Sequence, residues 1–169
     1  MTKRSFMAVH VVLACVLLAG CSKNMNEDDL RVRSSDKVAD ETEKASSEIL
    51  DLAGVKGKVT ESGAFAMPCA GYSSEKVYRA HHPWSLYGLP FEELKKAFGR
   101  LRDGLPGHGW KIVKDGPDGS PSKAPQIIAN HKGGDFSVDI RLHDESKRSG
   151  KTSLLEVTVE SACFKKQAD

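Results

Sequence analysis

Residues 136–143 carry the plainest pattern in the chain. Phe136, Val138, Ile140 and Leu142 alternate with Ser137, Asp139, Arg141 and His143, the period of a strand that buries one face. The last apolar run repeats it. Leu155, Val157, Val159, Ser161 and Cys163 share one parity, and Glu156, Thr158 and Glu160 take the other. Lys132-Gly133-Gly134-Asp135 supplies the glycines of a tight hairpin, which joins a strand over 126–131 to the strand over 136–143. A short strand is expected over 110–114. Residues 115–125, rich in proline and glycine, read as a loop, and residues 144–151 as a charged turn. Further upstream Tyr78, Ala80, His82, Trp84 and Leu86 share a parity, so they can share a strand face, with Pro83 marking an edge strand or a break. Residues 57–69 read as an extended segment or edge strand that delivers Cys69 to the core.

A helical period occurs twice. Phe91, Leu94, Phe98, Leu101 and Leu105 recur at spacings of three and four. Pro90 suits a first helical position, Glu92 and Glu93 fall in the first turn, and Gly104 is a stop, so a helix is expected over 90–103. Val38, Thr42, Ala45, Ile49 and Leu52 give a thinner stripe over 36–53, ending near Gly54. That helix could dock on the domain or form a stalk or partner surface. The sum is an α+β fold, a two-layer sandwich. An antiparallel sheet of about four to five strands is covered on one face by one main helix, with an added N-terminal helix. Residues 36–169 form a single domain.

The first 20 residues change the picture. Lys3 and Arg4 precede an apolar run over 7–19, broken only by His10, which is too short to span a bilayer and long enough for a signal segment. Leu18-Ala19-Gly20-Cys21 resembles the bacterial lipobox, in which the cysteine takes a diacylglycerol and the chain is cut before it. Small residues at 19 and 20 fit a peptidase cleft, and the thiol is the acyl acceptor. An ordinary secretory signal followed by a chance cysteine is the other reading. Residues 1–20 are therefore expected as a lipoprotein signal peptide, and 21–35 as the lipidated Cys21 with a polar, flexible tether.

Cysteine usage fits an exported chain. Cys15 leaves with the signal and Cys21 is consumed by lipid, so Cys69 and Cys163 remain. In an oxidising compartment an even remainder reads as one disulfide, with two free thiols as the alternative. Charge narrows the partners. Removing Lys3 and Arg4 from 25 basic residues leaves 23 against 23 acidic ones, and a neutral surface excludes strong, sequence-blind attraction to nucleic acid. About 150 residues suffice for one core.

Chemistry is sparse. Gly71-Tyr72-Ser73-Ser74-Glu75 lacks the closing glycine of a nucleophile elbow, and the segment 54–60 is too short for a phosphate loop. The 115–120 stretch lacks the ligand spacing of a calcium loop. Of the histidines at 81, 82, 108, 131 and 143, His82, His131 or His143 could contribute to a zinc or copper site, since His131 and His143 flank a hairpin; solvent-facing histidines near turns are the other reading. Trp84, Tyr87 and Trp110 could line a ligand cleft or fill the core. No catalytic residue, cofactor or metal ligand is assigned.

Several features now combine: the lipobox, the polar tether, Cys69, a helix running into Gly107-His108-Gly109-Trp110, and a last strand ending Glu160-Ser161-Ala162-Cys163-Phe164. Together they resemble the small uncharacterised lipoproteins of actinobacteria. The resemblance implies anchoring through Cys21 and a Cys69–Cys163 bridge, and carries no activity over. The expectation is a non-enzymatic, lipid-anchored domain on the extracytoplasmic face of the cell membrane that binds an envelope protein or cell-wall partner. The alternative is a small-ligand or metal-binding surface lipoprotein.

Overall fold

A computed structural model describes residues 27–60, 62–146 and 150–167. The expected signal peptide over 1–20, Cys21, and residues 22–26 of the expected tether lie outside the described residues. The elements are β1 (Val32–Arg33), α1 (Ser35–Ala53), β2 (Lys58–Val59), β3 (Phe65–Pro68), β4 (Val77–Tyr87), α2 (Phe91–Gly104), β5 (Trp110–Pro117), β6 (Pro125–His131), β7 (Phe136–His143), β8 (Leu154–Ser161) and β9 (Phe164–Lys166). Short 3-10 turns lie at Glu27–Asp29 and Leu105–His108.

All nine strands join one sheet, which corrects the expected four to five antiparallel strands under one main helix. The sheet is mixed, because β1 runs parallel to β9 while the other pairings are antiparallel. Two helices cover it, and α1, at 19 residues, is longer than α2, at 14. The additional strands β1, β2, β3 and β9 are two to four residues long, too short to display a period. Residues 27–35, expected in the tether, fold onto the domain. Lys165 N–H donates to Arg31 O, Gln167 N–H donates to Arg33 O, and the Arg33 guanidinium meets Glu41 at 2.6 Å.

The main core lies between the helices and one sheet face. Ile49 and Ala53 of α1 and Leu94, Ala97, Phe98 and Leu101 of α2 meet Trp84, Leu86, Ile127, Ala129, Val138, Ile140, Leu155, Val157 and Val159. The alternation expected for β7 and β8 holds, and the stripe of α2 is buried as expected apart from half-buried Phe91. In α1 the buried line is Val38, Thr42, Ser46, Ile49 and Ala53, rotated away from Ala45 and Leu52. The helix docks on β4 and beside α2. The Arg100 Nε–H donates to Ala53 O at 2.7 Å, and Gly54, at φ +64°, turns the chain out of the helix.

β4 is interior, contrary to the edge position that Pro83 suggested. One flank pairs with β8 and β9, the other with β2 and β3. The Ser85 N–H points to the β2 side, onto Thr60 Oγ1 at 2.9 Å. Pro83 shares that parity, so its missing N–H faces the β2–β3 side, where neither strand pairs with it and no ladder bond is required. β5 also runs further than expected, through Asp115 and Gly116 to Pro117, and the loop shrinks to 118–124. Pro117 sits opposite Pro125 at the strand end, and a bulge between Ile112 and Lys114 turns Val113 outward.

Cys69 and Cys163 are disulfide-bonded, with Cα atoms 6.2 Å apart. Pro68 and Phe164 both pair with Tyr78, from opposite flanks of β4. The bridge therefore ties the two neighbours of β4 to each other across it.

Candidate functional site

Where α1 crosses β4, its buried line turns small and polar. Ser46 and Ser47 occupy positions where a larger residue would fill the seam, and Thr60 faces them from the end of β2. A cleft of about 180 Å³ results, lined by Ser46, Ser47, Leu50, Val59, Thr60, His82 and Trp84. Through Leu50 and Val59 it continues into a depression of about 450 Å³ at the end of α1, where Asp51, Val55 and Lys56 stand.

His82 Nδ1 lies 2.8 Å from Ser46 Oγ, which knits α1 to the sheet. Burial pushes the His82 imidazole below its usual pKa; Glu43 opposes this and His81 reinforces it, so His82 is neutral at pH 7. Trp84 is 4% exposed and in contact with the core. Its indole N–H is buried and has no acceptor among the described residues. Thr60 Oγ1 accepts from Ser85 N–H, leaving its own hydrogen free to donate, and Ser47 Oγ–H donates to Glu43 O at 3.0 Å.

A Ser–His contact can activate a nucleophile, but Ser46 is mid-helix and 3% exposed. Backbone N–H groups there are spent within α1. Chemically the cleft offers room for a small ligand.

The opposite sheet face is not covered by either helix. Glu160 accepts from Arg79 at 2.8 Å and lies 2.8 Å from His81 Nδ1. Asp139 accepts from Gln126 Nε2 and from Arg141, each at 2.8 Å, and His143 meets Glu156 at 2.8 Å. Phe65, 46% exposed, sets its ring edgewise to His81 at 5.4 Å. A shallow groove of about 280 Å³ runs past Ile128, Ser137, Asp139, Thr158 and Glu160.

The residues singled out from sequence part company. Trp84 and Trp110 are core residues, at 4% and 3% exposed, and Trp84 alone of the two also walls the cleft. Tyr87 is half-buried at the end of β4. His131 packs edgewise on Trp110 at 5.3 Å, at the turn end of the β6–β7 hairpin. His143 sits at the far end of β7 beyond the Gln126–Arg141 pair, so flanking one hairpin does not bring the two together. Among the described residues no three His, Cys, Asp or Glu side chains gather as a metal site would need. The cleft itself was missed. Its signal was the Ala45-Ser46-Ser47 break in the α1 stripe, read beside His82 and Trp84 on the core parity of β4.

No family model matches the chain, and no significant match is found among curated proteins or solved structures.

Proposed function

We propose that this chain is a lipid-anchored protein of the extracytoplasmic face of the cell membrane, akin to the small actinobacterial lipoproteins it resembles. Its domain is a non-enzymatic module that binds an envelope protein or a cell-wall component. The signal-like segment and Cys21 support the anchor, and the Cys69–Cys163 bridge is the chemistry of an oxidising compartment. The observation that carries the binding role is the sheet face that neither helix among the described residues covers. Its acids and bases are matched to one another, and Phe65 stands half exposed among them. Such a polar, pre-ordered surface with an aromatic anchor suits protein recognition. The test is a photo-crosslinker at Phe65 or Ile128 in intact cells, with Cys21→Ser in parallel. The reading requires a discrete adduct with the native chain, loss of membrane retention with Cys21→Ser, and an acylated Cys21 as the mature N-terminus by mass. Retention of the Cys21→Ser chain in the membrane, or crosslinking no different from that at an exposed helix position such as Lys95, would overturn it.

A second reading, small-ligand binding, is favoured by one specific observation, the cleft of about 180 Å³ between α1 and β4.

A further inference from the structure

We infer that the domain rests directly on the lipid headgroups, with the end where β1, β9 and the β6–β7 turn meet facing them. The inference rests on the acylated Cys21 of the proposed function and is independent of what the sheet face or the cleft binds.

Reach sets the first limit. Most of the segment expected as a tether is spent on the domain, because residues 27–35 fold onto it. Asp28 meets Lys165 at 3.3 Å, and Arg31 pairs with Asp135. Arg31 and Arg33 both lay their guanidinium groups on the Phe164 ring, at 5.1 and 5.3 Å. Residues 22–26 alone then separate Cys21 from Glu27. The six Cα–Cα steps between those two residues reach about 22 Å at full extension and about 13 Å as a coil. A folded region of about 140 residues is about 37 Å across, so the place of attachment decides which end meets the bilayer.

Topology names that end. Lys165 pairs with Val77 at the start of β4 and lies beside Val32, while Asp135 closes the β6–β7 turn. β7 runs from Phe136 here to His143 at the other end, about 23 Å along the strand. Tyr87, Pro117 and Leu154 share the far end, with the loop 118–124 beyond Pro117. The strands therefore rise from the lipid, and the sheet face that neither helix covers looks along the membrane.

Charge sets the second limit. α1 carries six acids against two lysines, so anionic headgroups repel a domain lying on that helix. The attachment end has no such excess. Beyond the pairs already named, Lys76, Lys132 and Lys166 balance Glu27, Asp29 and Glu75 there.

The test uses the full acylated chain, labelled with ¹⁵N, in nanodiscs of phosphatidylcholine and phosphatidylglycerol doped with a gadolinium-chelate lipid. Discs with the lutetium chelate are the reference. The expected result is loss of the amide signals of Gly133, Gly134 and Lys165, with those of Gly119 and Ser120 in the far loop kept. An insert of about 20 Gly/Ser residues after Met25 raises the r.m.s. reach to about 28 Å and should even out the two ends. Equal loss at both ends of the native chain, or loss strongest at Gly119 or at Asp139 and Thr158 on the open sheet face, overturns the inference while the anchor stands. End-selective loss that survives the insert overturns the short reach as its cause. A chain that washes off the discs, with no acyl mass on Cys21, overturns the anchor reading itself and this inference with it.

Discussion

Breaking the Cys69–Cys163 bridge should lower stability by an amount set by the chain it closes. The two residues are 94 apart in sequence. The loop-closure relation assigns a constraint of that length about 16 cal/mol/K of unfolded-chain entropy, or about 4.7 kcal/mol at 25 °C. Unfolding entropy near 60 °C runs at about 2.1 cal/mol/K per residue, hence about 0.3 kcal/mol/K for a folded region of about 140 residues. The melting temperature should therefore fall by about 16 °C on reduction. Cys69 is 3% exposed, so the bond is best reduced in the unfolded chain, which is then refolded in reductant. Calorimetry gives the shift, and urea titration gives a second, independent readout. The open chain exposes more surface when unfolded, so the m-value should rise as the midpoint falls. The Cys69→Ala/Cys163→Ala chain should track the reduced protein. A loss under about 5 °C with an unchanged m-value would refute the reasoning, since the bridge would then constrain nothing that the unfolded chain does not already lack.

Leu101→Ala empties a fully buried position under α2 and should cost about 2–5 kcal/mol, read by urea denaturation at constant m-value. Gly57→Ala would put a Cβ 2.8 Å from Tyr87 O and 2.9 Å from Leu86 Cδ1; the resulting overpacking should cost about 1–3 kcal/mol in the same assay. Arg100→Met removes the 2.7 Å bond to Ala53 O and should cost about 1 kcal/mol, with faster amide exchange in the last turn of α1. Acid should act through His82. Its folded pKa is lowered by burial, so the unfolded chain binds the proton more readily, and stability falls as pH drops below the unfolded value of about 6.5. The melting temperature of His82→Gln should fall less than that of the native chain between pH 7.5 and 5. An equal fall would remove His82 from the account.

The elements that were legible in the sequence are those long enough to repeat. α2 announces itself through Leu94, Phe98, Leu101 and Leu105, and β7 and β8 through strict alternation. β1, β2, β3 and β9 hold their places through what they pair with, which no window of two to four residues records. The phase of α1 was missed for a physical reason. Ser46 and Ala53 score as weak core residues, yet their small size lets the helix approach the sheet, and the Ser46–His82 bond repays the buried hydroxyl. Pro83 misled because a proline argues only against the bond its own nitrogen would make, and here that flank asks for none. The bridge between Cys69 and Cys163 was readable from cysteine counting. The cleft was half readable: His82 and Trp84 were on the correct parity, but the helix that faces them, and the orphan indole N–H, emerge only from packing.

The clamp across β4 also has a mechanical meaning. A pull on the chain N-terminal to residue 31 enters the domain at β1, which lies parallel to β9 with Val32 beside Lys165. β9 starts directly behind Cys163, so tension passes from β1 through two backbone bonds into Phe164 and then into a covalent link. That link hands the load to Cys69 and β3 on the far flank of β4. The strain is thus shared by both sides of the central strand, alongside the part that runs on along the backbone into α1. A chain held at its N-terminal side while its outer face grips something else would yield first at β1, with the bridged sheet behind it remaining whole.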